Sequence, residues 1–163
     1  MNKSLLNFPE EVRSDIASIS SNAGVLNAQK CLQLCERLAI SVESLMIELL
    51  PIAAAYSVAP ISSFNVGAVV RGIEKNNDGM ADLYLGANLE FIGQALCHSV
   101  HAEQAAISNA WLQGETGVTA LAVSAPPCGH CRQFLYEVSG SKHFPILLPK
   151  GTSSGIEKTN SNS

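Results

Sequence analysis

The sequence predicts an α/β fold in which a mixed sheet is covered by helices. Three observations predict it. Helical apolar spacing fills the first 58 residues, a β-hairpin pattern follows Pro60, and strand–helix–strand steps close the chain.

The elements follow in order. "FPEEVRSDIASIS" opens with Pro9 and two acids, which suit a helix first turn. In "NAQKCLQLCERLAI", Asn27 is a cap candidate, and Cys31, Leu34, Cys35 and Leu38 share one face. "SVESLMIELLPIAAAYSVA" has Ser41 as a cap, and Pro51 inside it predicts a kink or break. "SSFNVGAVVRGI" is rich in β-branched residues and reads as a strand. "EKNNDGMA" reads as a turn, and "DLYLGANL" as the returning strand. Residues 100–113 form an amphipathic helix. "VTALAVSA" is a nearly continuous apolar run, the mark of a strand covered on both faces. A helix over Cys128–Val138 and a strand at "FPILLP" complete the order. The domain reading is an N-terminal helical segment over 1–47, the main domain over 48–150, and a polar tail over 151–163 expected to be disordered.

Bulk composition narrows the function classes. The chain has 163 residues, 47% of them apolar, and a net charge of −4. The acidic balance argues against nucleic-acid partners. No segment approaches the roughly 18 consecutive apolar residues of a membrane helix. "MNKSLLNFPEEVRSD" lacks the apolar core of a signal peptide, so a cytoplasmic setting is expected. Five cysteines are then expected as thiols or metal ligands rather than a disulfide framework.

Two motifs carry chemistry. "HSVHAEQAAISNAW", residues 98–111, sets His101 and Glu103 at a helix start. "APPCGHCRQF", residues 125–134, sets Cys128 and Cys131 at another. Imidazole and thiolates are ligands that zinc prefers, and free N–H groups at a helix start stabilise thiolates. Three protein ligands leave the fourth tetrahedral position open, as catalytic zinc sites do. Zn²⁺ with two thiolates and one neutral imidazole is formally neutral, so bound solvent can ionise near neutral pH if a base is at hand. Glu103 suits that base. Asn88 and Glu90 fall where the second hairpin strand ends, on one side of the chain, and an amide beside a carboxylate suits sugar hydroxyls. A carboxylate there repels phosphate.

An H-x-E followed 25 residues later by P-C-x-x-C is the described signature of zinc deaminases. With "SSFNVGAVVRG" and "GANLEFIG", it makes the chain resemble the cytidine deaminases, in particular their long-subunit dimeric class, over about residues 45–150. The resemblance implies a three-layer α/β/α fold and pyrimidine salvage: hydrolysis of cytidine and 2′-deoxycytidine to the uridines and ammonia. It implies Zn²⁺ on His101, Cys128 and Cys131, with Glu103 as the proton shuttle while zinc-activated hydroxide attacks C4. It implies Asn88 and Glu90 on the ribose 3′-hydroxyl, Phe64 against the base, the Ala102 N–H facing O2, and the Pro126 carbonyl accepting from the 4-amino group. Pro126 stands where many relatives carry Thr or Ser. In that class a second, zinc-free domain follows the catalytic one, whereas this chain stops soon after "FPILLP". A homo-oligomer, a dimer first, is expected to fill the missing position.

Other readings stand beside these. Cys97 or His98 could complete a structural zinc site, and the C-x-x-C could be a redox pair. Glu103 could serve only the helix dipole, Phe64 the core, and Asn88 and Glu90 a solvated strand end. His130 is expected to turn outward or bond locally, and Arg132 to donate to the sulfurs. Cys31 and Cys35 are expected as core thiols. The alternative function is a zinc-binding but catalytically idle assembly module.

Overall fold

The computed structural model describes residues 3–74, 79–139 and 143–149, and the backbone of 156–160. A 3₁₀ turn at Lys3–Asn7 leads into α1 (Glu10–Ser21), β1 (Val25–Leu26), α2 (Ala28–Leu38), α3 (Val42–Glu48) and α4 (Leu50–Ala54). The hairpin strands are β2 (Gly67–Arg71) and β3 (Leu83–Ala87). Then come a 3₁₀ turn at Leu96–His98, α5 (Ala102–Leu112), β4 (Ala120–Val123), α6 (Gly129–Ser139), β5 (Pro145–Pro149) and β6 (Ile156–Asn160).

The sheet order is β1-β3-β2-β4-β5-β6. Among the described strands, β4 and β5 pair in parallel and the other pairs are antiparallel, so the sheet is mixed. The β4–α6–β5 step is the parallel unit expected from the sequence. The β3–α5–β4 step leads to a strand that pairs with β2 instead, antiparallel.

Period-two alternation sorts each strand between two cores. Val69, Leu83, Leu85, Ala120, Ala122 and Leu147 face α1–α4. Ala68, Val70, Tyr84, Leu121, Val123 and Ile146 face α5 and α6. Helices therefore cover both faces, in three layers, and β4 is buried at all four residues. The helices before residue 48 share one apolar core with the sheet, and α3 runs across the 47/48 boundary expected from the sequence.

The capping residues act as read. The Asn27 side chain accepts from Lys30 N–H, and Ser41 from Ser44 N–H. Pro51 lies in the first turn of α4, so the expected break falls between Glu48 and Leu50. The uninterrupted helical reading of residues 1–58 is corrected at β1. Ala23 (φ 53°) and Gly24 (φ 75°) turn the chain out of α1, and Val25 and Leu26 then pair with Tyr84 and Leu83. Two residues are too few for a visible period. In the tail expected to be disordered, Ile156–Asn160 pairs antiparallel with β5, whose free edge offers backbone groups to a further strand. Of the expected turn over 74–81, residues 75–78 lie outside the described residues.

Two glycines set the layer spacing. A Cβ on Gly67 would lie 2.5 Å from Ala54 N and from Leu50 O, against α4. A Cβ on Gly86 would lie 2.2 Å from Ala106 N and 2.6 Å from Ala102 O, against α5. Gly86 thus lets the first turn of α5 press directly onto β3.

Candidate zinc centre and nucleoside pocket

Two helix starts converge at the carboxyl end of β4. His101 is the N-cap of α5, with extended backbone (φ −85°, ψ 153°). Ala125 and Pro126 each precede a proline, which disfavours helix and keeps the chain extended until α6 begins. Cys128 precedes α6, its carbonyl accepting from Arg132 N–H at 2.9 Å. Cys128 and Cys131 stand three apart across that first turn, the spacing at which N-cap and N3 side chains meet.

The His101 Nδ1 atom lies 3.6 Å from Cys128 Sγ and 3.2 Å from Cys131 Sγ. The three donor atoms all lie within 4.8 Å of one another. Zinc bonds of about 2.3 Å to sulfur and 2.0–2.1 Å to nitrogen, at tetrahedral angles, place such atoms about 3.5 Å apart. The donor set and its spacing fit zinc. Burial, then the neighbouring Glu103 carboxylate, push the Cys131 thiol well above the ordinary range. A divalent cation at the centre of the three donors reverses that balance and favours thiolate. Among the described residues, neither Cys97 nor His98 joins the cluster.

Beside the cluster lies a cavity of about 240 Å³. Phe64, Asn88, Glu90, His101, Ala102, Glu103, Pro126 and Cys128 all line it, so one cavity and its adjoining donor cluster collect every residue singled out for the site. Glu103 is only 4% exposed. Ala102 opens α5, where N–H groups lack intrahelical acceptors. Phe64 is 59% exposed, which removes the core reading.

Asn88 and Glu90 follow β3 and pin the loop that carries Phe64. The Asn88 side-chain carbonyl accepts from the Ser57 hydroxyl and from Val66 N–H at 2.8 Å, and its amide donates to Phe64 O at 2.9 Å. Glu90 is 6% exposed, not solvated. Its Oε2 accepts from Ile61 and Ser62 N–H at 2.9 and 3.0 Å, and its Oε1 from the Ser62 hydroxyl. These bonds, the Ser62 hydroxyl foremost, hold its carboxyl below the ordinary range.

Sequence reasoning missed Ser62, which links Glu90 to Phe64 by also accepting from Phe64 N–H at 3.0 Å. It also missed the apolar walls Val66, Leu96 and Val100. No motif marks them, because the loop fold alone brings them in. Arg132 donates to the Pro127 carbonyl at 3.4 Å rather than to a sulfur. His130 is exposed, as expected, but its ring meets the Gln104 amide on α5 rather than a local partner, and Cys31 and Cys35 are buried thiols. Among the described residues, no helix is long and apolar enough to cross a membrane.

Residues 40–147 match the family model of the cytidine and deoxycytidylate deaminase zinc-binding region. The chain is 44% identical over 151 residues to the cytidine deaminase of Vibrio parahaemolyticus, covering 91% of this chain and 49% of that protein. It is 57% identical over 106 residues to the cytidine deaminase of Aeromonas hydrophila, covering 65% and 34%. The chain spans about half the length, or less, of the curated relatives it matches. Among solved structures, the cytidine deaminase of Burkholderia pseudomallei aligns with a TM-score of 0.58 at 26% identity, covering 72% of this chain and 91% of that one. With its motifs, its three-layer fold and a three-donor centre suited to zinc, the chain belongs to the cytidine and deoxycytidylate deaminase family.

Proposed function

We propose that this chain hydrolyses cytidine and 2′-deoxycytidine to the corresponding uridines and ammonia, a step of pyrimidine salvage. The observation that carries the reading is the buried Glu103 in the cavity wall beside the His101–Cys128–Cys131 cluster. A zinc ion held by these three residues supplies the Lewis acid that activates solvent for attack at C4.

The chain's own residues do the rest. Glu103 accepts a proton from solvent, delivers it to ring N3, and later serves the departing amino group; the C4–N bond breaks and the solvent oxygen stays on the ring. The Ala102 N–H meets O2, the Pro126 carbonyl accepts from the 4-amino group, and the Phe64 ring packs against the base.

Hydrogen-bonding capacity supports a sugar hydroxyl at the other end. A carboxylate accepts about four bonds, and Glu90 uses three within the protein. Asn88 uses both acceptor positions and one of its two N–H donors among the described residues. One acceptor and one donor remain, which is what a hydroxyl needs. The negative charge of Glu90 disfavours a phosphorylated substrate.

The catalytic unit is residues 48–150, braced by the helices of 1–47. Five free cysteines suit a reducing compartment, the cytoplasm. Exposed Val58, Phe91, Ile92 and Leu96 present an apolar surface suited to a second copy, in a dimer. Sizing tests this: a monomer at working concentration removes the dimer. The activity test is the ultraviolet change on adding cytidine. Wild type is expected to turn over cytidine and not the 5′-monophosphate, and Glu103→Gln to lose turnover while keeping its zinc. Full activity in that variant refutes the assignment.

A further inference from the structure

We infer that Gln104 is a positioning residue for the zinc centre, clamping its two ligand-bearing helix starts together through His130. The inference rests on the zinc-deaminase reading above and concerns a contact that the reaction itself does not use.

Gln104 is the third residue of α5. Its Oε1 accepts from His101 N–H at 3.1 Å. That bond alone is ordinary: a glutamine at N3 commonly reaches back to the N-cap backbone. The same amide then leaves its own helix. Its Nε2 lies 3.0 Å from Nε2 of His130, which sits between Cys128 and Cys131. Because Oε1 is committed to His101 N–H, the amide nitrogen faces His130 and donates, and the ring nitrogen accepts. One side chain thus ties the backbone of the His101 ligand to the first turn of α6, between the Cys128 and Cys131 ligands. The His101 and His130 rings stand 5.4 Å apart and tilted by 46°, so the bridge spans the edge of the donor cluster.

This tie matters because the start of α6 is thinly anchored. The buried residues of α6 are Cys131 and Leu135, and one of those is itself a ligand. Cys128, Gly129 and His130 are exposed. Leu135, with half-buried Phe134 and Val138, packs the body of α6 on the core, but the exposed first residues lack such packing to set their distance from His101. A hydrogen bond from Gln104 fixes it before and after metal loading. Partners bonded directly to ligand side chains change metal affinity by about 10–100-fold when removed, and a tie between the helix starts that carry the ligands belongs at the low end of that range.

The test separates this role from simple helix capping. Zinc release to a chromogenic chelator is followed in wild type, Gln104→Met, His130→Phe and the double variant. His130→Phe leaves the cap bond to His101 intact and removes only the bridge, at an exposed position that does not threaten folding. Each single variant is expected to release zinc about 10-fold faster than wild type. The double variant is expected to match Gln104→Met, because once Gln104 is replaced the bridge is already gone and His130→Phe removes nothing further. The Co²⁺-loaded His130→Phe protein is expected to show shifted ligand-field bands. Wild-type release and an unchanged cobalt spectrum in His130→Phe overturn the inference while leaving the proposed function standing, as does a double variant whose effect is the product of the singles. A wild-type chain that takes up no zinc overturns both.

Discussion

Ser62 holds Glu90 from two sides: its backbone N–H donates to Oε2 at 3.0 Å, and its hydroxyl donates to Oε1. The same hydroxyl accepts from Phe64 N–H, so one serine couples the carboxylate to the aromatic of the pocket. Ser63 between them has φ 57°, a left-handed backbone that such bonds help to hold.

Ser62→Ala is therefore expected to raise the Glu90 pKa toward its ordinary value of 4.5, read by carboxyl carbon NMR. A depressed folded pKa stabilises the fold above the ordinary value, and that contribution fades as pH falls through the folded one. The stability gap between wild type and Ser62→Ala should be full at neutral pH and should narrow below pH 4.5 to the part owed to the Phe64 N–H bond. A gap independent of pH would count against the linkage.

Asn88→Ala removes the partner of the Ser57 hydroxyl, of Val66 N–H and of the Phe64 carbonyl together. Leaving such groups unsatisfied costs about 1–3 kcal/mol, measurable by urea denaturation. The freed loop also carries Phe64, so KM should rise more than kcat falls. An unchanged KM would place the amide outside substrate binding.

Gly86→Ala and Gly129→Ala form a matched pair. At Gly86 the new methyl meets backbone atoms of α5 at 2.2 and 2.6 Å, and α5 must shift. Overpacking of that kind costs about 1–3 kcal/mol, and here it displaces the first turn that holds His101 and Glu103, so zinc affinity should fall as well. At Gly129 the nearest atom is the Arg132 guanidinium at 4.0 Å, and a helical alanine there should be neutral or stabilising by up to about 1 kcal/mol. Equal effects at both sites, by thermal melting, would contradict the close approach.

Metal removal should loosen the start of α6 first, since its first residues are exposed and the Gln104–His130 bond is then their tie to α5. Amide exchange after chelation should quicken around residues 128–132 and recover on adding zinc. Zinc at a hundred times its dissociation constant should add about 2.7 kcal/mol to stability. Uniform quickening across the sheet would instead indicate global unfolding.

Much of this was legible in the chain itself. The H-x-E and P-C-x-x-C spacings, the covered strand "ALAV" and the caps at Asn27 and Ser41 are local patterns, set by helix and strand periods of a few residues. Local chemistry determined which residues could bind metal and where each helix begins. Tertiary structure decided the rest. It inserted β1 as a sheet edge, drew Ile156–Asn160 into the sheet, and turned Asn88 and Glu90 inward onto the Ser57–Val66 loop. It also brought Gln104 within reach of His130, 26 residues away. Such pairings join groups far apart in sequence, and no short-range period encodes the distance between two helix starts. Gly86 decides how closely the first of those starts approaches the sheet, and the Gln104–His130 contact ties the second start to it.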